Sequence, residues 1–174
     1  DASERSNAPL FLTELCDVLD LEHPEPAGGE NAYVFERDVT FQKVDGSTAP
    51  GRIDLYKRGC FVLEAKQGSG EASAKVGHGR RGTPAWEQAM MKARNQADRY
   101  IRALPAEEGR PPFLIVVDVG HQFEIFAEFS RTGGTYIPFP SPGSHRVSLS
   151  DLRMDEVQDR LCKIWTDPLS LDPS

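Results

Sequence analysis

Cysteine is scarce in this chain, and its arrangement argues against two kinds of stabilising site. Cys16, Cys60 and Cys162 are the three cysteines among 174 residues, and no two of them stand in C-x-x-C spacing. An odd number without paired spacing disfavours both a disulfide framework and a zinc site built on thiolates. Free thiols fit a reducing compartment, so we expect a cytoplasmic protein.

Long hydrophobic runs are also missing. No apolar stretch reaches the roughly 20 residues that a membrane-spanning helix needs, and no signal peptide is visible, so we expect no membrane partner. The composition, 39% hydrophobic and 27% charged, is ordinary for a globular domain. A chain of this length can form one domain with a sizeable core.

Positive charge is in short supply. The 20 Lys and Arg against 27 Asp and Glu give a net charge of −7. Because phosphate neutralisation supplies much of a protein's affinity for DNA, this chain would need its basic residues on one face or another domain to hold DNA. It starts at Asp1 without an initiator Met and stops at Ser174 directly after a helical segment. We therefore expect residues 1–174 to be one domain taken from a longer polypeptide.

The most informative stretch is GRIDLYKRGCFVLEAK, residues 51–66, which predicts two apolar strands joined by a tight turn. Asp54 lies on the first strand, and Glu64 and Lys66 end the second on a shared face, since strand side chains alternate. Two adjacent carboxylates can hold a divalent cation, and a neighbouring ammonium can orient water or offset phosphate charge. The alternative is a salt bridge on a solvated sheet face.

The register of this hairpin decides whether Asp54 joins Glu64. A two-residue turn would place the two acids on opposite faces, whereas an odd-length loop unites them. A loop over 57–59, with Gly59 in the left-handed conformation, meets that need. It also brings the apolar side chains together against the core, namely Ile53, Leu55, Phe61 and Leu63.

The rest of the pattern predicts the order of elements. Apolar spacing and turn residues indicate a helix from near Asn7 or Ala8 to Leu19, a strand over 33–44, a helix from Pro84 to about Leu104 capped by Thr83, a buried strand over 113–119, a two-residue turn at Gly120-His121, a strand over 123–129 and a final helix near 151–165. On the strand at 33–44, alternation predicts Val34, Glu36, Asp38 and Thr40 on one face. Together the elements predict an α/β fold with a mixed central sheet flanked by helices.

This order of elements, with Asp54, Glu64 and Lys66 in an Asp-x9-Glu-x-Lys pattern, resembles the PD-(D/E)xK nuclease superfamily. The resemblance implies a restriction-endonuclease-like αβββαβ core and hydrolysis of phosphodiester bonds in DNA. It further implies that Asp54 and Glu64 bind Mg²⁺, as one or two ions for which Mn²⁺ can substitute, with help from the Ala65 carbonyl. Lys66 would position or activate the attacking water.

A second motif supports the same resemblance. Many members of the superfamily place Gln-x-x-x-Tyr on the helix after the third strand, and Gln96 and Tyr100 match it here. Residues four apart share a helix face, so the two side chains can act together. The resemblance implies that Gln96 is a catalytic residue that contacts the phosphate or a water on the metal. Taken alone, the pair would be a solvated Gln and a core Tyr.

Stretches such as YVFERDVTFQKVDGSTAPGRIDLYKRGCFVLEAKQG and WEQAMMKARNQADRYIRAL resemble the N-terminal region of MmeI-like, type IIL single-chain restriction–modification enzymes. The similarity covers nearly the whole chain, with Pro9 a departure where a polar residue is usual. It implies downstream methyltransferase and target-recognition domains, of which the former uses S-adenosylmethionine. Double-stranded DNA is the implied partner, with transient pairing of two nuclease domains on it. The alternatives are a stand-alone repair or phage-defence nuclease and a catalytically dead fold that serves as an interaction module.

The segment between the hairpin and the next helix is rich in glycine and basic residues. Its G-x-G-x-x-G match does not follow a strand directly, which argues against a dinucleotide site. We expect Lys75, Arg80 and Arg81 to contact DNA phosphates, the alternative being a solvated loop. Two further acids, Glu14 and Glu36, could supply a third metal ligand, although exposed surface charge is the simpler interpretation of both.

Overall fold

A mixed seven-stranded sheet forms the centre of the fold in the computed structural model, which describes residues 2–27, 31–66 and 82–174. The strands are β1 (Tyr33–Gln42), β2 (Thr48–Lys57), β3 (Phe61–Lys66), β4 (Phe113–Asp118), β5 (Gln122–Ala127), β6 (Ile137–Pro138) and β7 (Arg146–Ser148). The helices are α1 (Ala2–Val18), α2 (Pro84–Arg102) and α3 (Asp155–Thr166), with short 3₁₀ turns at Ala106–Glu108, Leu149–Arg153 and Pro168–Leu171.

The sheet has the strand order β1-β2-β3-β4-β5-β6, and β7 pairs with another part of β5. Only β3 and β4 run parallel among the described strands, and α2 lies on the crossover between them. This arrangement confirms the predicted α/β class with a mixed sheet flanked by helices, and it is consistent with a restriction-endonuclease-like fold. The short strands β6 and β7 were not predicted, because two or three residues beside a proline-rich segment carry no periodic signal.

Two apolar layers cover the sheet. On one side, α1 and α3 pack their buried residues against β3 and β4, among them Leu12, Leu15, Leu161, Trp165, Phe61 and Ile115. On the other side, the apolar stripe of α2 packs against the same strands. This layer includes Trp86, Met90 and Ala97 from α2, Val62 from β3 and Val116 from β4. All six residues of β4 are buried, which confirms the prediction of a central strand covered on both faces.

The start of α2 follows the sequence signals, whereas the start of α1 does not. The Thr83 hydroxyl accepts a hydrogen bond from the Trp86 backbone N–H, as expected for an N-cap followed by proline. By contrast, α1 begins at Ala2 and carries Pro9 inside it, so the predicted start near Asn7 or Ala8 is wrong. Proline removes one helical hydrogen bond, and the buried side chains of Leu12 and Leu15 after it supply packing that continues the helix.

The hairpin between β2 and β3 has the predicted parity but a different loop. Lys57 pairs with Phe61, so the three-residue loop is 58–60 rather than 57–59. Gly59 has φ of 74°, the left-handed conformation that was expected, and the Cys60 N–H donates to the Lys57 carbonyl oxygen. The β4–β5 connection repeats this design over 119–121, so the two-residue turn predicted there is also wrong. In both cases, the glycine occupies the middle of the loop because only that position needs a positive φ.

The alternation of side chains breaks where β1 passes Glu36. Phe35 and Leu55 belong to the layer under α1, whereas Val39 and Ile53 belong to the layer under α2. Glu36 has φ of 53°, and the ladder between β1 and β2 lacks a pair at this level. The predicted faces are therefore wrong beyond Glu36, and Ile53 does not accompany Leu55. A positive φ at a non-glycine residue reverses the alternation, and no periodic pattern announces it.

A buried ion pair fixes the outer part of β1. The Arg37 guanidinium donates to both carboxylate oxygens of Glu108 at 2.8 Å each, and the Tyr56 hydroxyl donates to the same carboxylate at 2.8 Å. The Arg37 side chain is 3% exposed and that of Glu108 is 12% exposed. The hydrogen bond from Arg37 lowers the pKa of Glu108 below its usual range. This pair joins residues 71 apart in sequence, which no local pattern reveals.

Glu108→Ala is expected to lower the free energy of unfolding by about 3 kcal/mol or more, because it leaves the Arg37 charge buried without a partner. Urea unfolding at pH 7 measures the loss. Because the folded-state pKa of Glu108 is lowered, its contribution is present at neutral pH and is lost as the pH falls through that pKa, so the two proteins should converge in acid. The exposed neighbour Glu107, changed to Ala, is the control. Equal effects of the two substitutions at pH 7 would contradict this role of the pair.

Candidate active site

The two central carboxylates meet where β2 and β3 separate. The ladder between these strands ends at the pair Leu55–Leu63. One residue further along β2, the Asp54 carboxylate accepts a hydrogen bond from the Ala65 backbone N–H at 2.8 Å. The side chain of Asp54 thus takes the place of a backbone partner and is held against β3, level with Glu64. The sequence prediction that these acids come together is fulfilled, although in a register shifted by two residues from the one expected.

Glu64 is unusually buried for a carboxylate. The residue is 4% exposed, and burial raises its pKa well above the usual range. A hydrogen bond with Asp54 and the charge of Asp54 raise it further, while the nearby charge of Lys66 opposes the shift. The Oε1 atom of Glu64 is buried and has no hydrogen-bond partner in the part of the chain that the structure describes. Such a group needs either a proton or a cation.

A divalent cation fits this pair of side chains. A buried, unpartnered carboxylate oxygen beside a second carboxylate offers the hard oxygen ligands that Mg²⁺ prefers. Within residues 2–27, 31–66 and 82–174, no group of three His, Cys, Asp or Glu side chains could hold a metal ion. The site therefore rests on two carboxylates with the Ala65 carbonyl adjacent. Mg²⁺ commonly uses one or two carboxylates and completes its shell with water and substrate phosphate oxygens.

Lys66 ends β3 on the same face as Glu64. Its backbone carbonyl accepts a hydrogen bond from the Val119 N–H, which fixes the end of the strand. In the parallel ladder, Lys66 lies level with Asp118 on β4. Asp118 is buried, and its carboxylate accepts a hydrogen bond from the Trp86 indole at 3.1 Å. Besides Asp54 and Glu64, a third carboxylate, that of Asp118, is thus held by Trp86 on the strand next to the end of β3.

Gln96 and Tyr100 bring α2 to the site. The Gln96 amide donates to the Tyr100 hydroxyl at 2.6 Å, so the two residues act as one unit. Both line a cleft of about 400 Å³ together with Asp54. The Tyr100 ring is buried and packs against Phe41, with ring centroids 5.6 Å apart. Tyr100 is fixed by this packing, and its hydroxyl in turn holds the Gln96 amide at the cleft. Gln96 therefore does not lie free on the helix surface.

Gly51 on β2 is required by this arrangement. A Cβ atom there would lie 2.5 Å from Cε1 of Tyr100, too close for the ring to stay in place. Gly51→Ala is expected to destabilise the fold by about 1–3 kcal/mol through this overpacking. Thermal unfolding measures the change, and Tyr100→Ala provides the control background. If the clash is the cause, Gly51→Ala costs little further stability when Tyr100 is already Ala. Additive losses would contradict the explanation.

The cleft contains charged residues that the sequence patterns did not select as a group. Its walls include Glu36, Asp38 and Arg52 from β1 and β2, beside Asp54. Arg52 pairs loosely with Glu36 at 3.7 Å and with Asp38 at 3.5 Å. Glu36 was considered only as a possible ligand, and Arg52 was missed altogether. No alternation pattern could have marked it, because the faces of β2 change between Ile53 and Leu55.

The predicted DNA-contacting basic residues and the two possible third metal ligands have different outcomes. Lys75, Arg80 and Arg81 lie outside the described residues, so their contact with DNA stays a prediction. Glu14 is exposed on α1 and lines a separate groove with Leu152 and other residues of the opposite layer. Neither Glu14 nor Glu36 extends the pair of carboxylates to a set of three within the described chain.

Comparison with known proteins identifies the family. The chain matches the family described as "MmeI, N-terminal domain" over residues 1–172. No curated protein and no solved structure matches it significantly. No helix in the described part of the chain is long and apolar enough to cross a membrane. Since the family match covers nearly the whole sequence, the chain belongs to the MmeI N-terminal domain family, which relates it to restriction enzymes.

Proposed function

We propose that this domain is a Mg²⁺-dependent endonuclease that hydrolyses phosphodiester bonds of double-stranded DNA. The observation that carries the proposal is the Asp54–Glu64 pair, with a buried and unpartnered carboxylate oxygen, beside an ammonium on the same strand face. A purely structural salt bridge would not need a carboxylate buried to 4% exposure next to a second one. The family relationship to restriction enzymes supports the same function.

Each side chain has a separate role in the proposed reaction. Asp54 and Glu64 hold the cation, which when bound supplies Lewis-acid stabilisation of charge on the scissile phosphate. Lys66 donates a hydrogen bond to the attacking water and offsets negative charge that develops in the transition state. Gln96, held by Tyr100, orients the phosphate or the water by hydrogen bonding. Hydrolysis breaks the P–O3′ bond and leaves a 5′-phosphate and a 3′-hydroxyl.

The wider protein is part of the proposal. We propose that this chain is the N-terminal domain of a single-chain restriction–modification enzyme that acts in defence against phage DNA. A downstream methyltransferase, which uses S-adenosylmethionine, and a target-recognition domain would supply sequence choice and most of the DNA affinity. The net charge of −7 on this chain is consistent with such a division of labour. Cutting both strands would require transient pairing of two nuclease domains on DNA.

Plasmid cleavage by the full-length protein tests the function. We expect linear product with 5′-phosphate ends in Mg²⁺ or Mn²⁺, and none in EDTA. Residues 1–174 alone should cut poorly, because DNA affinity resides elsewhere. Efficient, sequence-blind cutting by residues 1–174 would instead support a stand-alone nuclease. Absence of both cleavage and Mg²⁺ binding in the full-length protein would contradict the proposal and support an interaction module.

A further inference from the structure

We propose that Arg52 is a DNA-binding residue of this site, which contacts a backbone phosphate beside the scissile bond. In the DNA-free protein, its guanidinium is held loosely by Glu36 and Asp38, and we infer that it exchanges these carboxylates for the phosphate. This inference rests on the proposed endonuclease function and adds to it a side chain that binds the backbone of the DNA strand to be cut.

The position of Arg52 places it in the site. It lies on β2 two residues before Asp54, and both residues line the same cleft of about 400 Å³. Gln96 forms part of the same wall from α2. Among the described residues that line this cleft, Arg52 is the only cation. A phosphate bound in the cleft at Asp54 would therefore have this guanidinium in the same cleft.

The charge of the cleft creates a need for such a residue. Three carboxylates line it, those of Glu36, Asp38 and Asp54, and the strand that must enter is also anionic. Like charges repel strongly at close range in a partly desolvated site, because the low dielectric screens them little. A cation at Asp54 and Glu64 offsets part of this repulsion at the scissile phosphate. The neighbouring phosphate needs a second positive group, and Arg52 supplies it.

The contacts of Arg52 are those of a group that can be released. The guanidinium nitrogens lie 3.7 Å from Glu36 and 3.5 Å from Asp38, which are ion-pair distances, and the guanidinium donates no hydrogen bond within the described chain. The Arg52 side chain is 50% exposed, and exposed ion pairs of this kind contribute little to stability because solvent screens them. The five guanidinium donors therefore remain available for the two-point contact that arginine makes with phosphate. Arg37 on β1 shows the contrasting case, since it is buried and makes two bonds of 2.8 Å to Glu108.

The backbone at Glu36 agrees with a functional role for this corner. The φ of 53° at Glu36 is a conformation that non-glycine residues rarely adopt and that costs folding energy. Before Glu36, Phe35 points into the apolar layer under α1; after it, Val39 points into the layer under α2. Glu36 itself, where the two faces exchange, lines the cleft. The ladder to β2 lacks a pair at this level, next to the segment of β2 in which the Asp54 side chain accepts a hydrogen bond from the Ala65 N–H of β3.

A chemical double-mutant cycle tests the contact directly. Single-turnover cleavage by the full-length protein is measured on duplexes in which one phosphate at a time, on either side of the scissile bond, is a neutral methylphosphonate. In the wild-type protein, we expect one such position to slow cleavage roughly 10- to 100-fold, the worth of a charge-assisted hydrogen bond. Arg52→Ala should slow cleavage of the unmodified duplex by a similar factor. The same methylphosphonate should then cause less than about a twofold further loss in Arg52→Ala, because the contact is already gone.

Two variants control for indirect effects. Arg102→Ala removes an arginine of similar exposure, 45%, which pairs with Asp98 outside the cleft, and it should retain the full methylphosphonate effect. Arg52→Lys keeps the charge without the two-point geometry and should restore part of the rate. If the Arg52→Ala and methylphosphonate effects multiply at every position scanned, the proposed contact is overturned while the nuclease function stands. If the wild-type protein cuts no duplex in Mg²⁺, the proposed function falls, and this inference falls with it.

Discussion

Lys66→Ala is expected to slow single-turnover DNA cleavage by about 10²–10⁴-fold, the range typical of a lost acid–base or charge-stabilising group. Lys66 ends β3 beside Glu64 and is the ammonium on that strand face. Removing it leaves the Asp54–Glu64 pair in place, so the Mg²⁺ concentration for half-maximal binding should change by less than about threefold. DNA affinity and methylation by the full-length protein should stay close to wild type, because we assign both to the proposed downstream domains.

The matched control for this prediction is Lys163→Ala. Lys163 is half exposed on α3 and pairs with Asp159, on the opposite side of the sheet from α2. Its loss should leave cleavage within about twofold of wild type, since exposed pairs contribute little. A Lys66→Ala protein that cuts as fast as wild type would show that the site assignment is wrong. Asp54, Glu64 and Lys66 would then be a salt-bridged group on a sheet face.

Glu64→Gln is expected to have opposite effects on function and stability. The substitution removes one of the two carboxylates proposed to hold the cation, so Mg²⁺ binding and cleavage should both be lost. In metal-free buffer at pH 8, the same protein should be more stable than wild type by about 1–2 kcal/mol, a typical gain when an active-site residue is replaced. The gain arises because glutamine removes a buried carboxyl that would otherwise have to bind a proton or carry a charge beside Asp54. Isothermal titration with Mg²⁺ and thermal unfolding in EDTA measure the two effects.

The pH dependence of this stability difference has a definite sign. Burial raises the folded-state pKa of Glu64 above its ordinary value of 4.5. A raised pKa means that the folded state binds the proton more tightly, so this contribution is fully present below pH 4.5 and is lost as the pH rises through the raised pKa. The stability advantage of Glu64→Gln should therefore grow with pH in metal-free buffer. Mg²⁺ binding to the wild type should strengthen over the same pH range, since the cation displaces the proton.

Glu124→Gln tests whether the loss of Mg²⁺ binding is specific to Glu64 or follows from replacing any buried glutamate. Glu124 on β5 is also buried, and burial raises its pKa as well. It lies 3.3 Å from Arg146, however, and is not among the residues that line the cleft of Asp54. Glu124→Gln should therefore keep wild-type Mg²⁺ affinity and cleavage. Equal loss of Mg²⁺ affinity in Glu64→Gln and Glu124→Gln would contradict the assignment of the cation to Asp54 and Glu64.

Elements with a strong local pattern were predictable from the sequence. The helix from Pro84 follows from its cap and apolar stripe, and the strand from Phe113 follows from an unbroken apolar run. The placement of Asp54 and Glu64 on one face could be predicted from the odd number of loop residues alone, because any odd-length loop puts them on the same face of the sheet. Loop parity, unlike exact register, is visible in the alternation of apolar residues.

What could not be predicted depends on single dihedral angles or on distant partners. The reversal at Glu36 requires a positive φ at a residue that usually avoids it, so the face of Ile53 was assigned wrongly. The β2–β3 loop was placed one residue too early, and the β4–β5 loop was predicted one residue too short, because glycine needs the middle position of a three-residue loop in both. The partner of Arg37 stands 71 residues away, and periodicity carries no information at that range.

The position of the bound metal is the most direct test of the central claim, that Asp54 and Glu64 jointly hold the cation on which cleavage depends. Crystals of the protein grown with Mn²⁺, and measured for anomalous scattering, would locate it. We expect a strong anomalous peak in contact with carboxylate oxygens of both residues, and we expect Glu64→Gln to lose it. A protein that cuts DNA in Mn²⁺ but shows no peak at this pair, or shows one held by other side chains, would contradict this claim.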